Sequence, residues 1–204
     1  MAVLIKDPEL AEDYRKRRER LGLDKYDEVW EGVLVVPALP NNEHQCLVMD
    51  LCGAFCSAVD RGRGDVVLPG ANVSDRGDDW KENYRCPDAV VVLAGGRARD
   101  CGTHWRGGPD LAVEIASPGG DPREKNDFYA KVGTREVLVI DRDPWALELY
   151  HLRRGRLVSA GRADLTNQAV LTSTVLPLTF QLRDGTPRPT IVVTHTATGQ
   201  TWTA

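Results

Sequence analysis

The sequence predicts an α/β fold of the α+β type, in which helix and strand patterns follow one another along the chain. Residues 41–62, "NNEHQCLVMDLCGAFCSAVDRG", carry apolar residues at helical spacing. Three apolar runs rich in β-branched residues follow, and they are typical of strands: "GDVVLPGANV", "DAVVVLA" and "DLAVEIA". A second helix pattern, "DPREKNDFYAKVG", and a further strand pattern, "EVLVID", come next. The predicted order from Asn41 is therefore helix, three strands, helix, strand.

The length and composition predict one ordinary globular domain over residues 1–204. The chain has 42% hydrophobic and 27% charged residues, which is usual for a soluble protein. Its net charge of −4 argues against coating nucleic acid through a general basic field, although an enzyme that grips nucleic acid locally remains compatible. No apolar run approaches membrane-spanning length, and "MAVLIKDPEL" lacks the continued apolar stretch of a secretory signal. We therefore expect a cytoplasmic protein.

The cysteines predict reduced thiols, because their number is odd and no CxxC spacing occurs. Cys52 and Cys56 lie one helical turn apart, but without nearby histidine partners they make a poor zinc site, so core packing is favoured. The five cysteines are Cys46, Cys52, Cys56, Cys86 and Cys101.

The N-terminal segment predicts a helix followed by a hairpin. In "DPELAEDYRKRRERLG", Asp7 is the N-cap, Pro8 takes the first position and Gly22 ends the helix. The basic run at 15–20 could contact phosphates, but a solvated helix face is the favoured interpretation. The next segment, "YDEVWEGVLVVP", predicts a hairpin that turns at Glu31 and Gly32.

The helix over 41–62 carries two polar residues of interest in its first turn. Asn41 or Asn42 is the predicted cap, so that Glu43 and His44 follow it directly. A polar side chain there can point along a sheet edge toward a site. A plain surface histidine is an equally open interpretation of His44.

The remaining segments predict strands, a loop and one more helix. The strand at 65–73 is broken at Pro69, and "GGRARDCGTHWRGG" predicts a mobile glycine-rich loop. In "DPREKNDFYAKVG", Asp121 is the cap, Pro122 and Glu124 lie in the first turn, and Gly133 ends the helix. "EVLVID" and "ALELYHL" predict strands, and "RRGRLVSAG" closes a hairpin with the second of them. The segments after residue 156, including 171–182 and the tail, predict peripheral strands.

A glutamate at the centre of an apolar strand is the first functional signal. In "PDLAVEIASP", three large apolar residues share one face and Glu114 lies on the other. Glutamate is depleted in strands and is seldom fully buried unless it is paired, so Glu114 needs a partner or a use. The three apolar residues, which we expect to face a helix-covered core, are Leu111, Val113 and Ile115.

Lys125 is the predicted partner of Glu114. Phe128, Tyr129 and Val132 form the expected inward stripe of the following helix, and Lys125 lies one turn before Tyr129. The link "SPGGDP" is short, so the first turn must return over the C-terminal end of the strand. We expect the ammonium within about 6 Å of a carboxylate, the range over which opposite charges shift a pKa.

Asp88 adds a second carboxylate, because it opens the neighbouring strand after "CP". Paired carboxylates suit a hard cation such as magnesium, which can hold a substrate phosphate. A nearby ammonium can offset the charge that builds up on phosphoryl oxygens. A structural salt bridge between Glu114 and Lys125 beside Asp88 is an equally open interpretation of the spacing.

An ordered set of motifs resembles the Uma-two family within the PD-(D/E)XK restriction endonuclease-like superfamily. The motifs are "YRCPDAVVV", "GPDLAVEIASP", the spaced set Asp121, Lys125, Tyr129 and Gly133, and then "EVLVID" and "LELYHL". The likeness covers about 26–152, which it marks as the core, and leaves the strands at 156–204 peripheral. It implies a restriction endonuclease-like core, a central mixed β-sheet flanked by helices, with an N-terminal helix and hairpin.

The resemblance also implies site residues and an activity. Asp88 and Glu114 correspond to the two acidic residues and Lys125 to the lysine. Ala116 stands where the strict pattern has its lysine, so the likeness is to the variant that takes its lysine from the following helix. Glu43, His44 and Tyr129 are outer candidates.

The resemblance predicts a bacterial Mg²⁺- or Mn²⁺-dependent nuclease, most simply a DNA endonuclease. A nuclease-fold protein without useful catalysis, acting as a nucleic-acid-binding or regulatory module, is the alternative. Because one small acidic domain offers little surface for gripping a duplex, we also expect a homodimer.

Overall fold

The computed structural model describes residues 2–117 and 119–204, and three sheets and three α-helices lie within them. The helices are Pro8–Leu21 (α1), Asn42–Ala58 (α2) and Asn126–Val132 (α3). Short 3-10 helices lie at Arg61–Arg63, Trp80–Glu82 and Pro122–Lys125. The strands up to the second half of the chain are Val3–Ile5 (β1), Glu28–Trp30 (β2), Val33–Val36 (β3), Val66–Pro69 (β4), Val73–Ser74 (β5), Tyr84–Arg85 (β6), Ala89–Val92 (β7), Arg99–Asp100 (β8) and Trp105–Arg106 (β9). The remaining strands are Leu111–Ile115 (β10), Glu136–Arg142 (β11), Trp145–Arg153 (β12), Arg156–Asp164 (β13), Val170–Thr172 (β14), Leu178–Arg183 (β15), Thr190–His195 (β16) and Thr201–Thr203 (β17).

The central sheet has six strands in the order β13-β12-β11-β10-β7-β4. β10 and β11 pair in parallel, while β10 pairs antiparallel with β7. The connection from β10 to its parallel neighbour passes through the Pro122–Lys125 turn and α3. These pairings confirm the predicted mixed sheet and the predicted order of elements.

The two faces of β10 confirm the predicted strand phase. Leu111, Val113 and Ile115 are buried in one cluster with residues of α2, such as Leu51 and Phe55. Ala112, on the opposite face, packs instead in a cluster with buried residues of α3. Glu114 shares the face of Ala112, because side chains alternate along a strand. The glutamate therefore points to the side of the sheet that α3 covers.

The predicted helix caps and the predicted hairpin are present. Asp7 caps α1 by accepting a hydrogen bond from Leu10 N, and Asn41 caps α2 by accepting one from His44 N. At the hairpin, Glu31 and Gly32 have φ of 47° and 87°, so both adopt the left-handed conformation that a tight β-turn between β2 and β3 requires. The hairpin belongs to a seven-stranded sheet of order β1-β3-β2-β6-β5-β9-β8.

The segment expected to be a mobile loop carries structure. β8 and β9 form within it, and β9 pairs in parallel with β5. His104 is buried and stacks on Trp80, with ring centroids 4.9 Å apart. This packing of aromatic rings stabilises the two strands, which the polar, glycine-rich composition of the segment did not predict. Pro69 marks the predicted break, since β4 joins the six-stranded sheet and β5 the seven-stranded one.

The C-terminal strands lie outside the central sheet, with one exception. β13 pairs along its length with β12 and forms the edge of the six-stranded sheet, because the hairpin between them is tight. β14 to β17 form a separate four-stranded sheet. Phe180 of that sheet contacts Phe55 of α2 edge to face, with ring centroids 6.3 Å apart. The last strands therefore complete the core on the α2 side.

Two further sequence predictions concern cysteines and membranes. Cys52 is buried in the core cluster with α2, as core packing predicts. Within the part of the chain that the structure describes, no helix combines the length and apolar character needed to cross a bilayer.

Candidate active site

Lys125 ends the short 3-10 turn that leads into α3. Asp121 caps this turn by accepting a hydrogen bond from Arg123 N. The Lys125 ammonium lies 3.0 Å from Oε1 and 2.9 Å from Oε2 of Glu114. It also lies 2.8 Å from Oε1 of Glu28. The lysine therefore meets the predicted distance and bridges two buried carboxylates.

Glu114 lies at the centre of β10 with only 4% of its surface exposed. Tyr129 of α3 donates its hydroxyl hydrogen bond to Oε1 of Glu114. Both carboxylate oxygens are thus fixed by groups from the turn and helix that cross over the strand. The outer candidate Tyr129 belongs to the first layer of contacts around Glu114.

Asp88 is held beside β10 at the start of β7. Its backbone N–H donates to the Val113 carbonyl at 3.0 Å, and its Oδ2 accepts from the Ile115 N–H at 2.7 Å. Its Oδ1 lies 3.0 Å from Nε2 of His44. Because Asp88 bonds to residues on both sides of Glu114, the strands bring the two predicted acids to one place.

Glu28 is a site residue that the sequence analysis missed. It lies in β2, is 4% exposed, and its Oε1 accepts a hydrogen bond from Cys86 N at 2.8 Å. Its Oε2 accepts from the Trp30 indole N–H at 2.6 Å. The available signal was strand alternation in "DEVWEG", which puts Glu28 and Trp30 on one face and Val29 on the other. The contact partner Lys125 lies 97 positions away in the chain, so spacing alone gave no link.

The two outer candidates on α2 separate. His44 is buried and turned to Asp88, which resolves the open choice against a surface histidine. Glu43 instead forms an ion pair with Arg142, at 3.1 Å. Arg142 also donates to the Ala116 carbonyl at 3.0 Å, so Glu43 joins an interaction at the end of β10 and not the carboxylate cluster.

A buried arginine, Arg85, lies between the β2–β3 hairpin and α3, next to the carboxylate cluster. The Arg85 guanidinium lies 4.8 Å from the centroid of Trp30 and 4.2 Å from that of Phe128. It donates to the Val29 carbonyl at 2.8 Å. Burial lowers the pKa of Arg85, although the Glu28 carboxylate opposes this shift. Arg85 therefore fixes the hairpin against α3 while adding positive charge nearby.

Burial and crowded negative charge dominate the electrostatics. Burial raises the pKa of Glu114 to about 7; Asp88 and Glu28 repel its charged form further, while Lys125 opposes the rise. Burial acts against the charged form of Lys125, but Glu114 and Glu28 outweigh it and raise the pKa of the lysine. Burial therefore has opposite effects on the two groups, while neighbouring carboxylates raise the pKa of both.

The cluster opens into a cleft of about 300 Å³. Its polar lining residues include the carboxylates, Lys125 and His44. Its lining also includes aromatic residues, among them Tyr26 and Trp30. A substrate group in this cleft would therefore reach Asp88, whose side chain is 22% exposed, before it reached the more deeply buried Glu114.

The donor chemistry fits a hard divalent cation. Carboxylate oxygens are the ligands that Mg²⁺ and Mn²⁺ prefer. Lys125 forms ion pairs with two of the three carboxylates of the cluster, Glu28 and Glu114, and Asp88 is the third. Across residues 2–117 and 119–204, no three His, Cys, Asp or Glu side chains are arranged as a ready metal-ligand group. The fit is thus one of charge and ligand type.

Comparisons with known proteins place this fold among proteins of the restriction endonuclease type. The profile of the Uma2 family, described as "Putative restriction endonuclease", matches residues 11–184, and the chain belongs to this family. A solved structure described as a putative nuclease belonging to DUF820 from Anabaena variabilis is similar, with a TM-score of 0.59 and 17% identity. That likeness covers 74% of this chain and 83% of the other, and at this identity it supports the fold. No curated protein matches the chain.

Proposed function

We propose that this protein is a divalent-metal-dependent nuclease that hydrolyses phosphodiester bonds of DNA as an endonuclease. The observation that carries the proposal is the position of Lys125, which bridges Glu28 and Glu114 at 2.8 and 2.9 Å beside Asp88 in an open cleft. A buried ammonium among several carboxylates is costly to maintain for stability alone. Nuclease chemistry gives both kinds of charge a use.

The proposed roles follow from exposure and contacts. Asp88 and Glu114 would hold Mg²⁺ or Mn²⁺, which when bound polarises the phosphate and lowers the pKa of an attacking water. Lys125 would place its ammonium against the phosphoryl oxygens, where negative charge accumulates in the transition state. Its raised pKa keeps it protonated for this role at neutral pH.

Three neighbours act as positioning residues in this proposal. Tyr129 orients Glu114 through the hydrogen bond to Oε1. His44 orients Asp88 through its 3.0 Å contact with Oδ1. Glu28 holds the Lys125 ammonium through a second ion pair, at 2.8 Å. Groups that orient ligands in this way commonly affect metal affinity or activity.

The wider assignment is a cytoplasmic bacterial protein with one domain over residues 1–204, acting as a homodimer on DNA. The small size of one acidic domain supports the dimer, since a second copy would add surface for gripping a duplex. Size-exclusion chromatography with light scattering tests this part independently of activity.

One observation favours a second candidate, a nuclease-fold module that binds nucleic acid without cutting it. Lys125 and Tyr129 together engage both oxygens of Glu114, so the lysine stands where a cation would compete. If the Glu114–Lys125 pair is permanent, the cleft recognises phosphate and does not hydrolyse it.

Cleavage assays with manganese and with magnesium on single-stranded DNA, double-stranded DNA and RNA separate the two candidates. We expect metal-dependent products from DNA that disappear with chelator. Purified folded protein that binds these substrates but leaves all three intact in both metals would favour the binding module.

A further inference from the structure

A second concave surface of about 500 Å³, which we term the basic cleft, lies at the other end of α3. Four of its lining residues are cations and one is an acid, although the whole chain carries a net charge of −4. The lining residues are Asp75, Arg97, Arg99, Arg106, Gly107, Lys131 and Val132. The lining of the basic cleft is therefore positively charged, although the chain as a whole is acidic.

Two of its arginines lie against glycines. A Cβ atom at Gly133 would lie 3.1 Å from the Arg97 guanidinium, and one at Gly77 would lie 3.6 Å from that of Arg106. A side chain at Gly133 would displace the Arg97 side chain, so the position of Arg97 depends on a glycine at this site. Arg97 and Arg106 thus lie against backbone that carries no side chain, and all three arginines of the basic cleft are exposed.

The charge of the basic cleft is only partly neutralised. Lys131 contacts Asp75 at 2.9 Å and Glu31 at 3.2 Å, and Arg76 at the edge contacts Asp75 at 3.6 Å. Within the described residues, the ion pairs of this region are confined to these groups. Arg97, Arg99 and Arg106 are therefore available to an external anion.

The basic cleft and the candidate active site share two structural elements. The hairpin that supplies Glu28 to the site supplies Glu31 to Lys131. The segment that supplies Lys125 continues as α3 to Lys131. Six residues of helix correspond to a rise of about 9 Å. One nucleic-acid strand carries a phosphate about every 3.4 Å along a duplex axis, so a strand that enters the active site carries further phosphates that can extend toward the basic cleft.

We propose that the basic cleft binds backbone phosphates of the nucleic-acid strand whose scissile phosphate lies at the active site. The proposal rests on the proposed nuclease function for the identity of the strand. One arginine guanidinium group can donate hydrogen bonds to two oxygens of the same phosphate. Several arginines in one concave surface, without ion-pair partners among the described residues, are therefore better suited to binding consecutive phosphates than to binding one isolated anion. The contacts read no bases, so the basic cleft adds affinity without sequence preference.

Fluorescence anisotropy with a labelled 20-nucleotide single strand in chelator, where cleavage is blocked, tests the proposal. The variant Arg97→Gln/Arg99→Gln/Arg106→Gln removes three charges from the basic cleft. The matched control Arg153→Gln/Arg154→Gln/Arg156→Gln removes three exposed arginines from the β12–β13 hairpin. We expect at least tenfold weaker binding for the basic-cleft variant. The slope of log affinity against log salt should become shallower by about 2, at about 0.7 per phosphate contact. The control should match the parent.

Equal loss in both variants, or no binding by the parent, would overturn the proposal. A four-nucleotide strand or inorganic phosphate that competes as well as the 20-nucleotide strand would also overturn it, since that result marks a site for an isolated phosphate. Cleavage is measured separately. If the protein binds the strand through the basic cleft but does not cleave it, the nuclease proposal is wrong and this inference stands. Cleavage with an unchanged KM in the basic-cleft variant removes this inference alone.

Discussion

Arg123 and Lys125 lie two residues apart in one 3-10 turn, yet their side chains enter two different ion networks. Arg123 contacts Asp141 at 2.6 Å and Glu148 at 2.9 Å, and its side chain is 26% exposed. Lys125 contacts Glu28 and Glu114, whose side chains are each 5% exposed. The turn therefore divides a partly solvated network from a buried one.

The acids of the two networks titrate in opposite directions. Partial burial works to raise the pKa of Glu148, but hydrogen bonds from Arg123, Tyr150 and Arg162 lower it to about 2. Burial, with repulsion from Asp88 and Glu28, raises the pKa of Glu114 to about 7. Glu148 contacts two guanidinium groups, those of Arg123 and Arg162, and its network stabilises the fold. In the Lys125 cluster a single ammonium contacts both Glu28 and Glu114, which leaves negative charge that a bound cation can offset.

Replacing Lys125 is the strongest test of this contrast. We expect Lys125→Ala to lower metal-dependent cleavage on the order of a hundredfold or more, because the ammonium contributes mainly when charge accumulates in the transition state. Lys125→Gln, which keeps a hydrogen-bond donor, should lose activity similarly while disturbing the buried carboxylates less. Rates are measured with manganese and with magnesium, and melting curves establish that each variant is folded.

Arg123→Gln is the matched control from the same turn. It should lower stability by about 1 kcal/mol, since its ion pairs are partly solvated, and leave the rate of the folded enzyme within a few-fold of the parent. A Lys125→Gln protein that cuts as fast as the parent would show that both cations of the turn are structural.

Glu114→Gln tests the surplus of negative charge. The pKa of Glu114 is raised above its ordinary 4.5, so ionisation opposes folding, and metal-free parent should lose stability as pH rises from 4.5 through about 7. The variant should lack this decline and melt no lower than the parent at pH values above about 7. Glu28 still pairs with Lys125, so no ammonium is stranded.

Magnesium or manganese should then stabilise only the parent. Saturation to about a hundred times the dissociation constant corresponds to about 2.7 kcal/mol, measured as a rise in melting temperature. If the metal-free variant were instead clearly less stable than the parent, the Glu114–Lys125 pair would be a structural salt bridge.

Some residues of the two networks could be predicted from the sequence and others could not. Capping residues and a short link located Lys125 over Glu114, because these are local constraints on one stretch of chain. Asp88 was placed by strand order. Glu28 escaped prediction, since its role depends on a hairpin from another sheet that docks 97 residues away from Lys125.

The same limit applies to the fold. Periodicity and caps predicted α1, α2, the hairpin and the central strands. The strands inside "GGRARDCGTHWRGG" were missed because their order comes from distant contacts, such as His104 stacked on Trp80. The C-terminal sheet was expected at the periphery, yet Phe180 packs against Phe55 of α2, a contact that no local pattern encodes.

The Arg123 network predicts a smaller effect, which disappears at acid pH. The pKa of Glu148 is about 2 against an ordinary 4.5, so its stabilisation is present above about pH 4.5 and is lost as pH falls toward 2. At neutral pH, Glu148→Gln should cost about 1–2 kcal/mol after allowance for solvent screening. Urea melts of parent and variant should converge between about pH 4.5 and 2. If the stability difference between parent and variant stayed constant across this range, the contribution of Glu148 to stability would not depend on its ionisation.

Glu43→Gln should have the smallest effect, because the ion pair of Glu43 lies outside both networks. Its side chain is 38% exposed and contacts Arg142, which keeps its bonds to the Ala116 carbonyl when the carboxylate is gone. We expect stability to change by less than about 0.5 kcal/mol and cleavage to stay at the parent's rate. The neighbouring His44→Gln removes the ring that orients Asp88 and should lower activity about tenfold or more. Parallel melting curves and cleavage rates check the pair. If Glu43→Gln were as damaging as His44→Gln, the boundary of the active site would have to include the Arg142 interaction at the end of β10.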